Sequence, residues 1–262
     1  MQDSLATTIV EFDEDTGVGR ITLNRPDALN ALSGQLRDDI VESLRLLEDH
    51  NDDDEIALRA VVLEGAEGNF CAGADITEFE DSAAGASAAR THFEFISQFP
   101  VPVIAKIEGY CLGGGLETAM ACDIRFADAD ARLGLPEVDL GLIPGAGGVQ
   151  YISNLSNPAA ASEIAMTGDH ISAARADELG LVNRVPDDLE ATTQEFAETI
   201  ASKPPLAIQA IKDSAQTAAQ TTLEEGIAYD NKLFEPLLAT EDHKEGARAF
   251  AEDDYEPEFN GR

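Results

Sequence analysis

Val103-Ile104-Ala105-Lys106-Ile107 leads through Glu108 into Gly109-Tyr110-Cys111-Leu112-Gly113-Gly114-Gly115-Leu116-Glu117. The first five residues read as a continuous strand of the buried type, and the glycines that follow open a helical stretch. Three glycines ahead of a helix leave its first N–H groups unpaired and aimed outward, at the positive end of the helix dipole. Small residues there also let a ligand come close to the backbone. Such a place suits an oxygen that gains negative charge during a reaction.

The same alternation continues in both directions. Residues 7–12 and 18–23 are β-branched runs separated by Asp13-Glu14-Asp15-Thr16-Gly17, which predicts a hairpin. Ser33 caps a predicted helix whose Leu36, Ile40, Leu44 and Leu47 recur every three or four residues. Residues 59–64 read as a strand closed by Gly65, residues 86–98 as a helix ended by Pro100 and Pro102, and residues 124–127 as a further strand. Strands alternating with helices predict an α/β fold. From about residue 158 strand signals become few. A helix over 172–179 ends at Gly180, and four more are predicted over 187–202, 205–219, 223–234 and 242–251. This divides the chain into a core at residues 1–195 and a helical region at residues 196–262.

A chain of 262 residues suffices for one large domain with a full core. Its 51 Asp and Glu face only 17 Lys and Arg, a net charge of -34, which argues strongly against nucleic acid as a partner because phosphates would be repelled. The acid is spread out, as in Asp52-Asp53-Asp54, Asp187-Asp188 and Asp253-Asp254, between segments of clear apolar periodicity. It reads as a hydrated carboxylate surface suited to salt-rich surroundings, where screening relieves self-repulsion. Cys71, Cys111 and Cys122 are odd in number and lack metal-type spacing, so free buried thiols in a reducing compartment are expected. His50, His92, His170 and His243 are scattered and read as surface or structural residues, and no metal or other cofactor is expected. The beginning of the chain carries no secretory pattern and no run approaches the ~20 apolar residues of a membrane span, which predicts a cytoplasmic location.

Two further glycine-rich segments follow predicted strands: Gly68-Asn69-Phe70-Cys71-Ala72-Gly73-Ala74-Asp75, and Leu135-Pro136-Glu137 leading into Gly141-Leu142-Ile143-Pro144-Gly145-Ala146-Gly147-Gly148. None is a phosphate-cradling loop, since no Lys-Ser or Lys-Thr follows the glycines and no G-x-G-x-x-G opens a helix. Taken singly, each is as readily a tight turn as a site. With 26 glutamates in 262 residues, two chosen positions would both be Glu by chance about once in a hundred.

Together the segments are specific. Phe70 to Ile76, Gly113-Gly114-Gly115-Leu116-Glu117, Pro136-Glu137-Val138 and Ile143 to Gly148 resemble the crotonase (enoyl-CoA hydratase/isomerase) superfamily. So do Arg25-Pro26-Asp27-Ala28-Leu29-Asn30-Ala31-Leu32 and Glu245-Gly246-Ala247-Arg248-Ala249-Phe250. The resemblance covers nearly the whole chain in order. It implies a spiral of strand-strand-helix repeats with a C-terminal helical region that builds homotrimers, commonly paired into homohexamers. It also implies an acyl-CoA substrate, with Ala28 and Leu29 along the CoA moiety. Residues 71–76 (Cys71, Ala72, Gly73, Ala74, Asp75, Ile76) and Gly114 would line the substrate, and the thioester oxygen would lie between the N–H groups of Cys71 and Gly114. Glu117 and Glu137 align with the two catalytic glutamates of the hydratases, Glu117 activating water and Glu137 donating a proton to the α-carbon. Acyl-pocket residues are expected within 76–90.

Double-bond isomerisation, which can run with a carboxylate at the Glu137 position alone, and a non-catalytic binding oligomer, including one associated with RNA, are the alternatives. Retention of Glu117 favours hydration. Three positions depart from the resemblance: Asp27 and Tyr151 stand where basic residues are common, and Glu252-Asp253-Asp254 replaces a basic stretch.

Overall fold

A computed structural model describes residues 2–52, 55–81, 91–252 and 254–262. The hairpin forms from β2 (Thr8–Asp13) and β3 (Val18–Leu23), antiparallel, with Thr8 opposite Leu23 and Asp13 opposite Val18. Its turn closes where Gly17, at φ 71°, donates to the Asp13 carbonyl at 2.8 Å. A short β1 (Gln2–Ser4), which no periodicity announced, extends the edge. The strands β4 (Ala60–Gly65), β5 (Val103–Ile107) and β7 (Ile124–Ala127) then add in parallel, giving the order β1-β2-β3-β4-β5-β7.

A second ladder runs beside this sheet. The strands β6 (Tyr110–Leu112), β8 (Arg132–Gly134) and β9 (Ile171–Ser172) form a three-stranded sheet, and isolated parallel bridges join Cys71 to Cys111 and Leu32 to Ala74. Each turn of chain therefore gives one strand to the large sheet and a short one to the second ladder before a helix: β4, residues 71–74 and α2 (Thr91–Gln98), then β5, β6 and α3 (Gly114–Ala121). That is the strand-strand-helix spiral. The N-terminal part of the helix expected over 86–98 lies outside the described residues.

Parallel strands present alternate residues to opposite faces. Val61, Leu63, Val103 and Ala105 enter the main core with Leu36, Ile40, Leu44 and Leu47 of α1 (Gly34–Glu48), whose first turn is capped by Ser33 accepting from Leu36 N at 3.1 Å. Ala60, Val62, Ile104 and Phe126 face the other way, against Leu189, Ala197 and Ala201 of α7 (Leu189–Ala201). Residue 195, the expected end of the core, thus falls inside an unbroken helix packed on the sheet. Between these lie α4 (Gly148–Leu155), α5 (Pro158–Thr167) and α6 (Ala173–Glu178).

The remaining helices are α8 (Pro205–Ala218), α9 (Leu223–Leu237) and α10 (Glu241–Ala251). Several contacts fasten them to the core, two of them through buried charged residues. Lys212 Nζ, buried, bonds Asp123 Oδ2 at 2.7 Å and the Val101 carbonyl at 3.1 Å, while Asp123 also accepts from Val103 N at 2.8 Å. The chain end doubles back, so the Asn260 and Gly261 N–H groups donate to buried Asp242, and Ile56 N donates to the Asn260 carbonyl at 3.0 Å. Among the described residues no helix is long and apolar enough to cross a membrane. Lys212→Ala leaves Asp123 without its cation and is expected to lower unfolding free energy by about 3 kcal/mol, measured by denaturant titration at fixed salt. A change below about 0.5 kcal/mol, the size of an ordinary surface substitution, would remove this fastening from the account.

Candidate active site

Glu117 sits in the first turn of α3, where its N–H bonds the Gly113 carbonyl at 3.0 Å, and it is only 3% exposed. Its Oε1 accepts from Ala146 N and from Gly148 N, each at 2.8 Å. These donors belong to the turn that opens α4, in which Gly147 takes φ 102°. Gly148 packs closely here: a Cβ there would lie 2.9 Å from Leu135 Cδ2, so any side chain would displace its neighbours. One oxygen is thereby fixed on a helix N-terminus, and Oε2 bonds to none of the described residues. Burial pushes the Glu117 pKa above the usual carboxylate range, and the two amides pull against it.

Glu137 lies in the 3-10 turn Pro136–Leu140. Its carboxyl covers Gly113, so closely that a Cβ at Gly113 would be 2.8 Å from Oε1. Its Oε2 is buried and bonds to none of the described residues. Burial raises the pKa to about 7, with the negative charge of Glu117 adding to the shift. The two carboxyls therefore share one electrostatic site but differ in their contacts: Glu117 is gripped by two amides of another loop, whereas Glu137 has only its own backbone N–H to oppose its burial.

Two backbone donors face this pair. Gly114 is the first residue of α3, so its N–H has no acceptor within the helix. Ala74 lies where the chain is strapped to residue 32: Leu32 N donates to the Gly73 carbonyl at 2.8 Å and Asp75 N to the Leu32 carbonyl at 3.1 Å. The N–H of Ala74 between them bonds to none of the described residues, and a Cβ built at Gly114 would lie 3.7 Å from that nitrogen.

This corrects the expectation for Cys71. Its N–H donates to the Tyr110 carbonyl at 2.9 Å, and its carbonyl accepts from Leu112 N at 3.0 Å, so both backbone groups are used in the ladder. Its thiol is buried, with its pKa pushed up to about 12 by burial. Gly73, at φ 113°, breaks the ladder, and the N–H left beside the start of α3 is three residues further along, at Ala74. Residue types could not reveal that register.

The structure brings most of the expected substrate-lining residues together. Ala28 ends the 3-10 turn Pro26–Ala28, and Leu29, at φ 50°, accepts from Ala72 N at 3.0 Å. Asn30 is buried beneath them, bonding the Ala66 carbonyl at 3.0 Å and the Asn69 carbonyl at 2.6 Å. Asp75 turns its carboxylate to Thr77 at 2.6 Å and Arg25 at 2.9 Å, which hold its pKa below the usual range. Arg25 also bonds the Ala31 carbonyl and so clips the 25–32 loop to the 71–75 segment. Ile76 is exposed at the start of the 3-10 helix Ile76–Asp81, while residues 82–90 of the expected acyl pocket lie outside the described residues.

Sequence reasoning did not find Ala146 and Gly148 as ligands of Glu117; the only signal was their place in a glycine-rich turn after Pro144. Among the described residues no group of His, Cys, Asp and Glu is arranged to hold a metal ion.

The α/β spiral of strand-strand-helix turns defines a crotonase-type fold. The family model for enoyl-CoA hydratase/isomerase matches residues 13–262. The chain is 40% identical over 240 residues to the mitochondrial enoyl-CoA hydratase of Pongo abelii, covering 90% of this chain and 81% of the relative. It is 37% identical to the short-chain-enoyl-CoA hydratase of Clostridium acetobutylicum, covering 93% and 94%. The crystal structure of enoyl-CoA hydratase from Bacillus anthracis superposes with a TM-score of 0.88 at 37% identity, covering 100% of this chain and 99% of that one. The chain belongs to the enoyl-CoA hydratase/isomerase family.

The Glu137 environment has a direct spectroscopic consequence. Infrared difference spectra should show a protonated carboxyl that titrates near pH 7 and is lost in Glu137→Gln. If, as pH is raised, no protonated carboxyl band survives above about pH 5.5, past the range where ordinary glutamates ionise, the buried position of Glu137 is wrong.

Proposed function

We propose that this protein is an enoyl-CoA hydratase, adding water reversibly to a 2-enoyl-CoA thioester to give the 3-hydroxyacyl-CoA. The observation that carries the reading is the pair Glu117 and Glu137 near the amides of Ala74 and Gly114, which bond to none of the described residues. Attack of water on the β-carbon places negative charge on the thioester oxygen. Ala74 N–H and Gly114 N–H are the donors for that enolate; removing one such donor typically costs ~3 kcal/mol. Glu117, one oxygen fixed by amides, uses the other to orient the water and take its proton. Glu137 gives its proton to the α-carbon. Isomerisation needs only the second carboxyl, so the backbone grip on Glu117 supports hydration.

Both directions use the pair with one proton on it: on Glu137 before hydration, on Glu117 before dehydration. They must share one pH profile, since the overall reaction neither takes up nor releases a proton. For kcat/KM in the free enzyme we expect a bell. Its alkaline limb lies near pH 7, where Glu137 loses its proton, and its acid limb marks protonation of Glu117. Glu117→Gln and Glu137→Gln should each lower kcat for crotonyl-CoA by ~10²–10⁴ with substrate still bound. Wild-type turnover in either variant removes that residue from the mechanism, and an isomerase would tolerate the loss of Glu117 far better than that of Glu137. Cys71→Ala should keep most activity.

The assembly proposed is a homotrimer or homohexamer, working in a salt-rich cytoplasm. A groove of about 710 Å³ between α8, α9 and α10 is lined by apolar side chains such as Leu206, Ile211, Leu233 and Phe234, and Leu223 and Phe250 stand exposed nearby. The net charge of -34 must repel the CoA phosphates at low ionic strength. Raising KCl from about 0.1 M to about 2 M shortens the screening length from ~10 Å to below ~3 Å. KM for enoyl-CoA should fall or stay level over that range while the melting temperature rises. A KM that climbs steeply, at constant melting temperature, would show that local positive charge governs binding.

A further inference from the structure

The run Gly113-Gly114-Gly115 is the softest stretch of backbone in the site, and the direction of Gly114 N–H depends on how that run is held. Three anchors are already described or adjacent. Gly113 N donates to the Gly134 carbonyl at 2.8 Å, the Gly113 carbonyl accepts from Glu117 N, and Gly115 presses on Cys71 so closely that a Cβ would lie 2.2 Å from its carbonyl oxygen. The fourth begins at a buried histidine.

His92, on α2, is 1% exposed. Its Nε2 lies 3.3 Å from Thr118 Oγ1, and Thr118 Oγ1 donates to the Gly114 carbonyl at 2.8 Å. The hydroxyl hydrogen cannot serve both partners. Since it points to Gly114, the histidine must carry its proton on Nε2 and donate to Thr118. Nδ1 is then a bare acceptor, buried and bonded to none of the described residues. Burial first, and the charge of Arg37 second, lower the ring pKa to about 3, so the ring is neutral throughout the working range.

We propose that His92 is a positioning residue for the oxyanion hole, fixing the Thr118 hydroxyl on the Gly114 carbonyl and so setting the direction of Gly114 N–H. The inference rests on the reading of Ala74 and Gly114 as the enolate donors. A helical threonine bonding back four residues is common and leaves its hydroxyl free to rotate. Occupying the oxygen from the far side with an N–H removes that freedom. Stability does not explain the histidine. A leucine would fill the same place, against Phe93 with ring centroids at 3.8 Å for the native pair, without a buried nitrogen that has no partner among the described residues.

The test compares His92→Leu, His92→Gln, Thr118→Val and the double variant His92→Leu with Thr118→Val. Two readouts are used: steady-state hydration of crotonyl-CoA, and the red shift in absorbance of a conjugated 2,4-dienoyl-CoA on binding, which reports polarisation of the thioester carbonyl. His92→Leu and Thr118→Val should each lose about tenfold in kcat, less than the ~10²–10³ of a deleted donor, with KM little changed and a smaller red shift. The double variant should be no worse than either single one, because they break one chain. His92→Gln, whose amide nitrogen can stand in for Nε2, should recover most of kcat. Melting temperature should not fall in His92→Leu. Wild-type kcat and red shift in His92→Leu and in the isosteric Thr118→Val would overturn the proposal while leaving the oxyanion-hole reading intact. A wild-type enzyme that neither hydrates crotonyl-CoA nor shifts the dienoyl spectrum would overturn both.

Discussion

The start of α3 lies close against the chain at residues 32, 71–74 and 137, and at three successive glycines a side chain would crowd its neighbours, most severely at Gly115, where it would meet backbone. A Cβ at Gly113 would meet the Glu137 carboxyl at 2.8 Å, one at Gly114 would meet Leu32 at 3.0 Å, and one at Gly115 would meet the Cys71 carbonyl at 2.2 Å. Gly113 also takes φ 50°, a region that L side chains rarely adopt. The contact aims the positive end of α3 at the cleft, leaves the Gly114 amide beside that of Ala74, and puts Glu117 one turn along the helix, facing Glu137. Donor geometry, carboxyl spacing and the second ladder all follow from one close approach of backbone to backbone.

That approach also explains how two acids coexist in one cleft. Glu117 gains two N–H bonds at 2.8 Å because the turn opening α4 reaches under α3. Glu137 gains no comparable donors and is pressed over glycine, where burial favours its neutral form. Identical side chains are thereby suited to opposite tasks by what surrounds them, and the negative charge of one helps hold the proton on the other.

Much of this was legible in the sequence. The hairpin, the Ser33 cap and the long apolar strands follow from periods of two and three-to-four residues, and the glycine clusters marked the close approaches. Strands of two or three residues, such as β6, β8 and β9, are too short to show a period, so the second ladder could be named only through family resemblance. The choice between Cys71 and Ala74 depends on ladder register, which composition does not carry. The role of α7 was not legible: read as one of four helices in a row, it is the one that covers the second face of the sheet with Leu189, Ala197 and Ala201. The link from His92 to Gly114 spans strands and a helix, and nothing near either residue signals it.

The distribution of charge follows a division between scaffold and site. The few cations are largely turned inward or onto neighbouring acids. Lys106 and Arg20 share Glu64 and Glu190, fastening α7 to the sheet; Lys212 holds Asp123; Arg125 is buried on the carbonyls of Leu181 and Cys122; Arg25 clips two loops through Asp75. Surplus acid is left for the surface. The proposed oxyanion donors, by contrast, are peptide dipoles, two N–H groups held by glycine and alanine backbone. Dissolved ions screen distant charges strongly, but they have little effect on dipoles in direct contact with their ligand. A site whose charge stabilisation comes from amides can keep its chemistry under ionic conditions that would weaken one built on exposed arginine and lysine.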